Sequence, residues 1–259
     1  MSSVNDTLLA NRESGKGSLV GYYPAGYPTL QDSVDALVAM AENGCDVLEI
    51  GVPYSDPVMD GLVIQVATEE ARAAGFVLAD LFEVIRQVRA KVTTPLLVMS
   101  YWNPVLRYGV EKFAEDMRAS GAQGMITPDL VPDEAAQWLE VSEAKGLDRV
   151  FLVAPSSSNE RVAANADASQ GFVYSVSTMG ITGERATLDA LARQLVGRVK
   201  SLSETPTCVG VGISTAEQVR EVNGYADGAI VGTAFVKAYR DDGLSGLVAK
   251  TKELAAGLG

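Results

Sequence analysis

The chain contains no histidine, only two cysteines, and 21 basic against 33 acidic residues in a length of 259. Without histidine, proton transfer near neutral pH falls to carboxylates, tyrosine, cysteine or lysine, and a histidine-ligated metal site is excluded. Cys45 and Cys208 lie far apart among apolar neighbours. They read as two buried free thiols rather than a disulfide framework or a metal knuckle. The shortage of positive charge, a net −12, argues against general affinity for nucleic acid or an anionic membrane, because neutralising phosphates takes clustered Lys and Arg. No apolar segment approaches the roughly 20 residues that cross a bilayer. The opening MSSVNDTLLANRESGKGS lacks the basic start and apolar stretch of an export signal, so the cytoplasm is the expected compartment.

What is present is a large supply of core. With 47% hydrophobic and 21% charged residues, the composition is that of an ordinary globular protein. Eight short β-rich runs recur along it: 18–23, 47–51, 96–102, 124–127, 150–154, 172–177, 208–212 and 228–232. Between the first two, Leu30, Val34, Leu37, Val38 and Ala41 form the stripe of a helix packed on a sheet. Similar stripes occupy 80–91, 110–119, 133–144, 187–202 and 214–222, the last opened by Ser214 and Glu217 at capping-box spacing. A helix over 62–74 has no strong cap at Gly61 and Leu62; segments 3–14 and 243–257 read as an added N-terminal helix and a closing one. Eight strand-helix units with no linker between halves predict an α/β fold, a single (β/α)8 TIM barrel over 1–259, with an open doubly wound sheet as the alternative.

In such a barrel, reactive groups gather at the C-terminal ends of the strands. The stretch LEIGVPYSDPVMDG (48–61) places two acids there, Glu49 and Asp60. By alternation Val47, Glu49 and Gly51 share one face, while the doubly apolar Leu48 and Ile50 face should meet the helices, so Glu49 points into the barrel mouth. A buried ion pair would be the bland explanation for such a carboxylate, but none of the eight runs contains Lys or Arg. Desolvated without a cation, Glu49 is expected to have a raised pKa, which suits a group that both gives and takes a proton. Asp60 before Gly61 and Asp56 before Pro57 are also ordinary turn chemistry, and a metal site from Asp46, Asp56 and Asp60 has no recognised spacing.

Glycines supply a second signal. Gly180–Gly183, Gly210–Ser214 and Gly232 with Thr233 follow the sixth, seventh and eighth runs. Backbone N–H groups there, with a helix N-terminus behind them, can bind phosphate without lysine. Gly210-Val211-Gly212 lacks the third glycine of a dinucleotide fingerprint. Tyr22, Tyr23, Tyr101, Trp102 and Tyr174 could line an apolar pocket for a planar ring, although core packing serves as well for any one of them.

These motifs, taken together with YYPAGYP (22–28), PDLVPDE (128–134), VYSVSTMGITG (173–183), GVGIS (210–214) and VGTAFVK (231–237), resemble the tryptophan synthase α-subunit family over essentially the whole chain. The resemblance implies a lyase that splits indole-3-glycerol phosphate into indole and glyceraldehyde 3-phosphate, with Glu49 and Asp60 as its catalytic acids and Tyr174 assisting their placement. It implies phosphate contacts from Gly183, Gly212, Gly232 and Thr233, an indole site bordered by Tyr22, Thr182 and Ile230, and no metal or organic cofactor on this chain. It also implies a β-subunit partner that carries pyridoxal phosphate in an α2β2 assembly, with Pro53 and Asp56 near the contact. Leu62 departs from the proline usual after the Asp-Gly pair, and Thr178-Met179 from an Arg-Ser. The rival expectations are a free-standing indole-glycerol-phosphate lyase, another phosphosugar barrel, and a non-catalytic allosteric subunit.

Overall fold

The computed structural model describes residues 3–176, 185–210 and 212–259. Nine strand segments make one sheet: β1 (Leu19–Pro24), β2 (Val47–Gly51), β3 (Leu96–Met99), β4 (Gly124–Ile126), β5 (Asp148–Val150), β6 (Leu152–Val153), β7 (Val173–Val176), β8 (Thr207–Gly210) and β9 (Gly228–Val231). Every pairing is parallel. The order is β5-β4-β3-β2-β1-β9-β8-β7-β6, so the two edges of the sheet are consecutive pieces of chain separated only by Phe151. The result is a nearly closed barrel. The fifth expected run is therefore real but starts earlier and is bent: the Phe151 N–H leaves the ladder for the Ser169 hydroxyl (3.2 Å), while its carbonyl still accepts from Tyr174 (3.0 Å).

Eleven α-helices cover it among the described residues: α1 (Val4–Glu13), α2 (Leu30–Glu42), α3 (Leu62–Ala73), α4 (Leu78–Arg89), α5 (Trp102–Tyr108), α6 (Val110–Ser120), α7 (Ala136–Lys145), α8 (Asn159–Ala168), α9 (Arg185–Leu202), α10 (Ala216–Asn223) and α11 (Thr233–Ala255). Four differ from expectation. The run read as strand to 102 ends at Met99, because Asp129 from another loop accepts the Trp102 N–H (2.9 Å) and starts α5 there. The weakly apolar α8 has no strong stripe, and its usable signal was the Ser158 N-cap accepting from Arg161. The closing helix begins at Thr233, and Gly243 at φ 62° breaks it where only glycine turns easily. At α10 the cap lies one residue later than expected: Thr215 and Gln218 form the capping box.

Alternation divides the core in two. Leu48 and Ile50 join the layer between sheet and helices, whereas Val20, Val47, Leu97, Ile126, Val150, Cys208 and Ile230 fill the barrel interior. Cys45 belongs to the outer layer and Cys208 to the inner one, both as free thiols. Val4 and Leu8 of α1, both fully buried, pack onto the same interior cluster and plug its N-terminal end. That end is also tied by side chains standing just before three strands. Asp46, Gln123 and Asp227 accept the backbone N–H of Leu19 (3.0 Å), Leu96 (2.9 Å) and Thr207 (2.9 Å) on the neighbouring strand. Asp227 is itself neutralised by Lys200 (3.2 Å) and by Arg12 of α1 (3.6 Å). Because Leu8 is fully buried in the interior cluster, Leu8→Ala should lower the unfolding free energy by about 2–4 kcal/mol, read from urea denaturation; a loss under about 1 kcal/mol would show that the plug collapses to refill the gap.

Candidate active site

At the C-terminal end of the strands lies a cavity of about 550 Å³. Its floor is formed by strand side chains Tyr22, Glu49, Met99, Ile126, Leu152, Tyr174 and Ile230, its sides by Val58–Gly61 and Ile64, and its far wall by Gly212, Ile213, Gly232 and Thr233. Glu49, Asp60, Tyr174, Tyr22, Ile230, Gly212, Gly232 and Thr233 are thus brought together. Thr182 and Gly183 lie outside the described residues, as do Thr178 and Met179. Tyr23 is on the opposite face of β1, where its ring packs near Tyr27 and Tyr239 at 6.2 and 5.9 Å, so it does not reach the cavity. Tyr101 and Trp102 do not line it either.

Glu49 is 2% exposed in the middle of β2, paired in register with Tyr22 on one side and Leu97 on the other. One of its carboxyl oxygens is buried with no hydrogen-bond partner among the described residues. No lysine or arginine is among the described residues lining the cavity. Desolvation acts alone and pushes the carboxyl up to about 8. The one strand cation that the expected runs lacked, Arg149 of β5, is spent outside the barrel on the Ala168 carbonyl (2.7 Å) and on Glu143.

Asp60 sits at the end of the loop that follows β2. Its own N–H donates to the Pro57 carbonyl (3.1 Å), and its carbonyl accepts from Gln65 of α3 (2.8 Å). Burial raises its carboxyl to about 6, against a hydrogen bond from Tyr101 that pulls it down. Burial thus raises the two acids unequally, so that between about pH 6 and about pH 8 Glu49 holds its proton while Asp60 has lost it. Asp46, the third member of the metal grouping, is committed instead to Lys16 (2.8 Å) and the Leu19 N–H at the other end of the barrel.

Two glycines make room for phenols. A Cβ at Gly51 would stand 2.2 Å from the Tyr22 hydroxyl, and one at Gly210 would stand 2.6 Å from that of Tyr174. Gly210 is therefore a notch for the tyrosine rather than a phosphate donor. Burial, followed by the charges of Asp60 and Glu49, keeps both phenols protonated. At the far wall, Gly212 adopts φ 68° with open space around it. The first turn of α11 has no side-chain cap, leaving N–H groups beside Gly232 and Thr233 for an anion. The first turn of α10 is different, since Gln218 already accepts from Ser214 and Thr215.

Pro53 is buried and Asp56 exposed. Leu62, 78% exposed, occupies the first helical position of α3 after an uncapped Gly61 with ψ 156°.

The model of the family described as "Tryptophan synthase alpha chain" matches residues 8–256. The chain belongs to the tryptophan synthase alpha chain family. It is 56% identical over 257 residues to the tryptophan synthase alpha chain of Leifsonia xyli subsp. xyli, covering 99% of this chain and 98% of that one. It is 52% identical to that of Mycobacterium intracellulare over 95% and 91% of the two chains. Among solved structures, tryptophan synthase of M. tuberculosis in its aminoacrylate-bound form superposes with a TM-score of 0.92 at 47% identity, covering 100% of both chains. A mutant α-subunit of Pyrococcus furiosus gives 0.85 at 34% identity over 92% of this chain and 98% of that one. A member of this family with Leu62 at the start of α3 forgoes a residue suited to that place, since proline fixes φ and needs no N–H at the first helical position. Leu62→Pro should raise stability by about 0.5 kcal/mol, measured by chemical denaturation; a loss would show that the Leu62 side chain or N–H holds the loop.

Glu49 supplies a second test, through linkage. Its folded pKa of about 8 lies above the ordinary 4.5, so its contribution to stability is fully present below about pH 4.5 and is lost as pH rises through about 8. The advantage of Glu49→Gln over wild type in unfolding free energy should therefore grow by a few kcal/mol between about pH 5 and about pH 8.5. A difference that does not change with pH would mean that Glu49 is not held unionised.

Proposed function

We propose that Glu49 and Asp60 together carry the retro-aldol cleavage of indole-3-glycerol phosphate. The chain is a lyase of the tryptophan synthase alpha class, acting in tryptophan biosynthesis and partnered by a β subunit in an α2β2 assembly. The reading of its residues rests on one observation above the others: two carboxyl groups line one cavity, and burial raises them unequally, Glu49 to about 8 and Asp60 to about 6.

Indole is a poor leaving group until its C3 is protonated, which converts the ring to an electron-accepting iminium. Glu49, protonated, delivers that proton to C3. Asp60, ionised, accepts the ring N–H hydrogen bond and stabilises the positive charge that forms on N1. The carboxylate left on Glu49 then takes the proton of the hydroxyl on the carbon attached to C3. The carbon–carbon bond breaks, its electron pair returns to the ring as neutral indole, and the aldehyde of glyceraldehyde 3-phosphate is released. Glu49 ends with the proton it began with, so the cycle closes without an oxidant, a metal or an organic cofactor; pyridoxal phosphate belongs to the partner.

The other contacts follow from the same placement. Met99, Ile126, Leu152 and Ile230 give an apolar bed for the ring, Tyr22 borders it, and Tyr174 keeps a neutral hydroxyl beside Glu49. Gly212, Gly232 and Thr233, with Gly183, hold the phosphate by backbone dipoles and a hydroxyl, and Thr182 borders the indole ring with Tyr22 and Ile230. The β subunit meets the rim around Asp56, with Pro53 shaping the loop from beneath and the exposed Val58, Leu62 and Val66 beside it. Residues 1–259 act as one domain, in the cytoplasm.

Glu49→Gln and Asp60→Asn should each cut indole release by at least ~100-fold while glyceraldehyde 3-phosphate still binds, with the β subunit present and absent. Survival of turnover in both variants would leave the chain a binding subunit. In wild type, kcat/KM should follow a bell with limits at about 6 and about 8: activity rises as Asp60 ionises and falls as Glu49 does. A profile flat from about pH 5 to about pH 9 would remove the assignment of acid and base.

A further inference from the structure

We infer that Tyr101 is a positioning residue for Asp60, acting through one hydroxyl that holds both the backbone and the carboxyl of the catalytic loop. This rests on the reading of Asp60 given above. Tyr101 follows β3, is 2% exposed and does not line the cavity, so it has no evident reason to carry a hydroxyl for the substrate. Its oxygen accepts the Met59 N–H at 2.9 Å and donates to the Asp60 carboxylate. A single atom thus spans the two residues that end the loop.

The ring is held in turn from outside. Tyr54, at the start of the same loop, stacks on Tyr101 at 5.2 Å with the planes 29° apart. The Tyr54 hydroxyl accepts from Asn103 of α5 (3.1 Å). The loop therefore clasps Tyr101 at both ends, by stacking at residue 54 and by hydrogen bonds at 59 and 60. Between the clasps, Val58 is 79% exposed and contributes no packing of its own to hold Asp60 in place.

The chemistry gives this clasp a second effect. A donor to the ionised carboxyl stabilises that form. Among the described residues, Tyr22, Tyr174 and Glu49 share the cavity with Asp60 and are neutral when it ionises, Gln65 bonds only its carbonyl, and Asp129 acts on Tyr101. Burial raises the Asp60 carboxyl, and the Tyr101 hydroxyl acts against it by favouring the ionised form.

The test is Tyr101→Phe, which keeps the ring and the stack. The Asp60 carboxyl carbon is followed by NMR against pH and assigned by its absence in Asp60→Asn. Its midpoint should climb by roughly half a unit to one unit. In the α2β2 complex, kcat should fall ~10-fold with KM changed less than ~2-fold, and the acid limb of the rate profile should move up with the midpoint. An unmoved midpoint with wild-type kcat overturns the role, and so does a loss confined to KM. If Tyr101→Phe fails to fold, Tyr54→Ala, which removes the stack under the same ring, is read by the same two measurements. Full activity in Asp60→Asn would instead overturn the proposed function itself. An inactive Asp60→Asn with an unmoved Tyr101→Phe overturns only the role of Tyr101.

Discussion

Closing a parallel sheet on itself converts the alternation of strand residues into a separation between a dry interior and a helix-covered outside, and the rest of this molecule depends on that closure. Strand edges find strand partners except at the bend around Phe151, where the Ser169 hydroxyl takes the freed N–H, so no long row of N–H groups is left to satisfy. The inward residues of β1, β2, β3, β4, β8 and β9 meet in one cluster, plugged at one end by Val4 and Leu8. The other end cannot be plugged in the same way, because the helices there begin rather than end. It is left as a cavity floored by side chains that strand geometry holds in place.

That floor explains why a carboxylate is tolerated inside. Glu49 sits one step above Val47 on the same inward row, with no cation among the described residues lining the cavity to meet it. Ionising it there would cost more than keeping its proton, so the barrel stores an acid at a pH where an exposed glutamate has none. Asp60 is supplied by a loop instead of a strand. It keeps more contact with water and gains a hydrogen bond from Tyr101. One fold thus gives two chemically similar groups opposite states, and the difference comes from how each is attached to the scaffold.

The tyrosines show how finely the space is divided. Tyr22 and Tyr174 stand where glycines at 51 and 210 leave room for their hydroxyl groups, and a single methyl group at either position would force a phenol toward the substrate. Tyr101, one layer back, trades contact with the cavity for control of the loop. The glycines read as phosphate ligands in the sequence therefore have two different jobs. Gly212 and Gly232 border the cavity, while Gly210 is steric.

Alternation in 47–51 was sufficient to decide that Glu49 faces inward, because a strand has period two and only one of its faces here is wholly apolar. Absence of histidine and of inward lysine or arginine was sufficient to make that acid a protonated one. The motif of 48–61, supported by those at 22–28, 128–134, 173–183, 210–214 and 231–237, carried the family, since the residues of each are consecutive and need no folding to be recognised. What depended on contacts between distant segments was beyond the reach of any such pattern. The start of α5 depends on Asp129, the bend at Phe151 on Ser169, and the notches for Tyr22 and Tyr174 on glycines of neighbouring strands. The hold of Tyr101 on Met59 spans 42 residues. Local sequence determined periodicity, facing and the identity of the acids; tertiary structure alone decided which hydroxyl meets which loop, because a hydrogen bond across the barrel leaves no period in the chain.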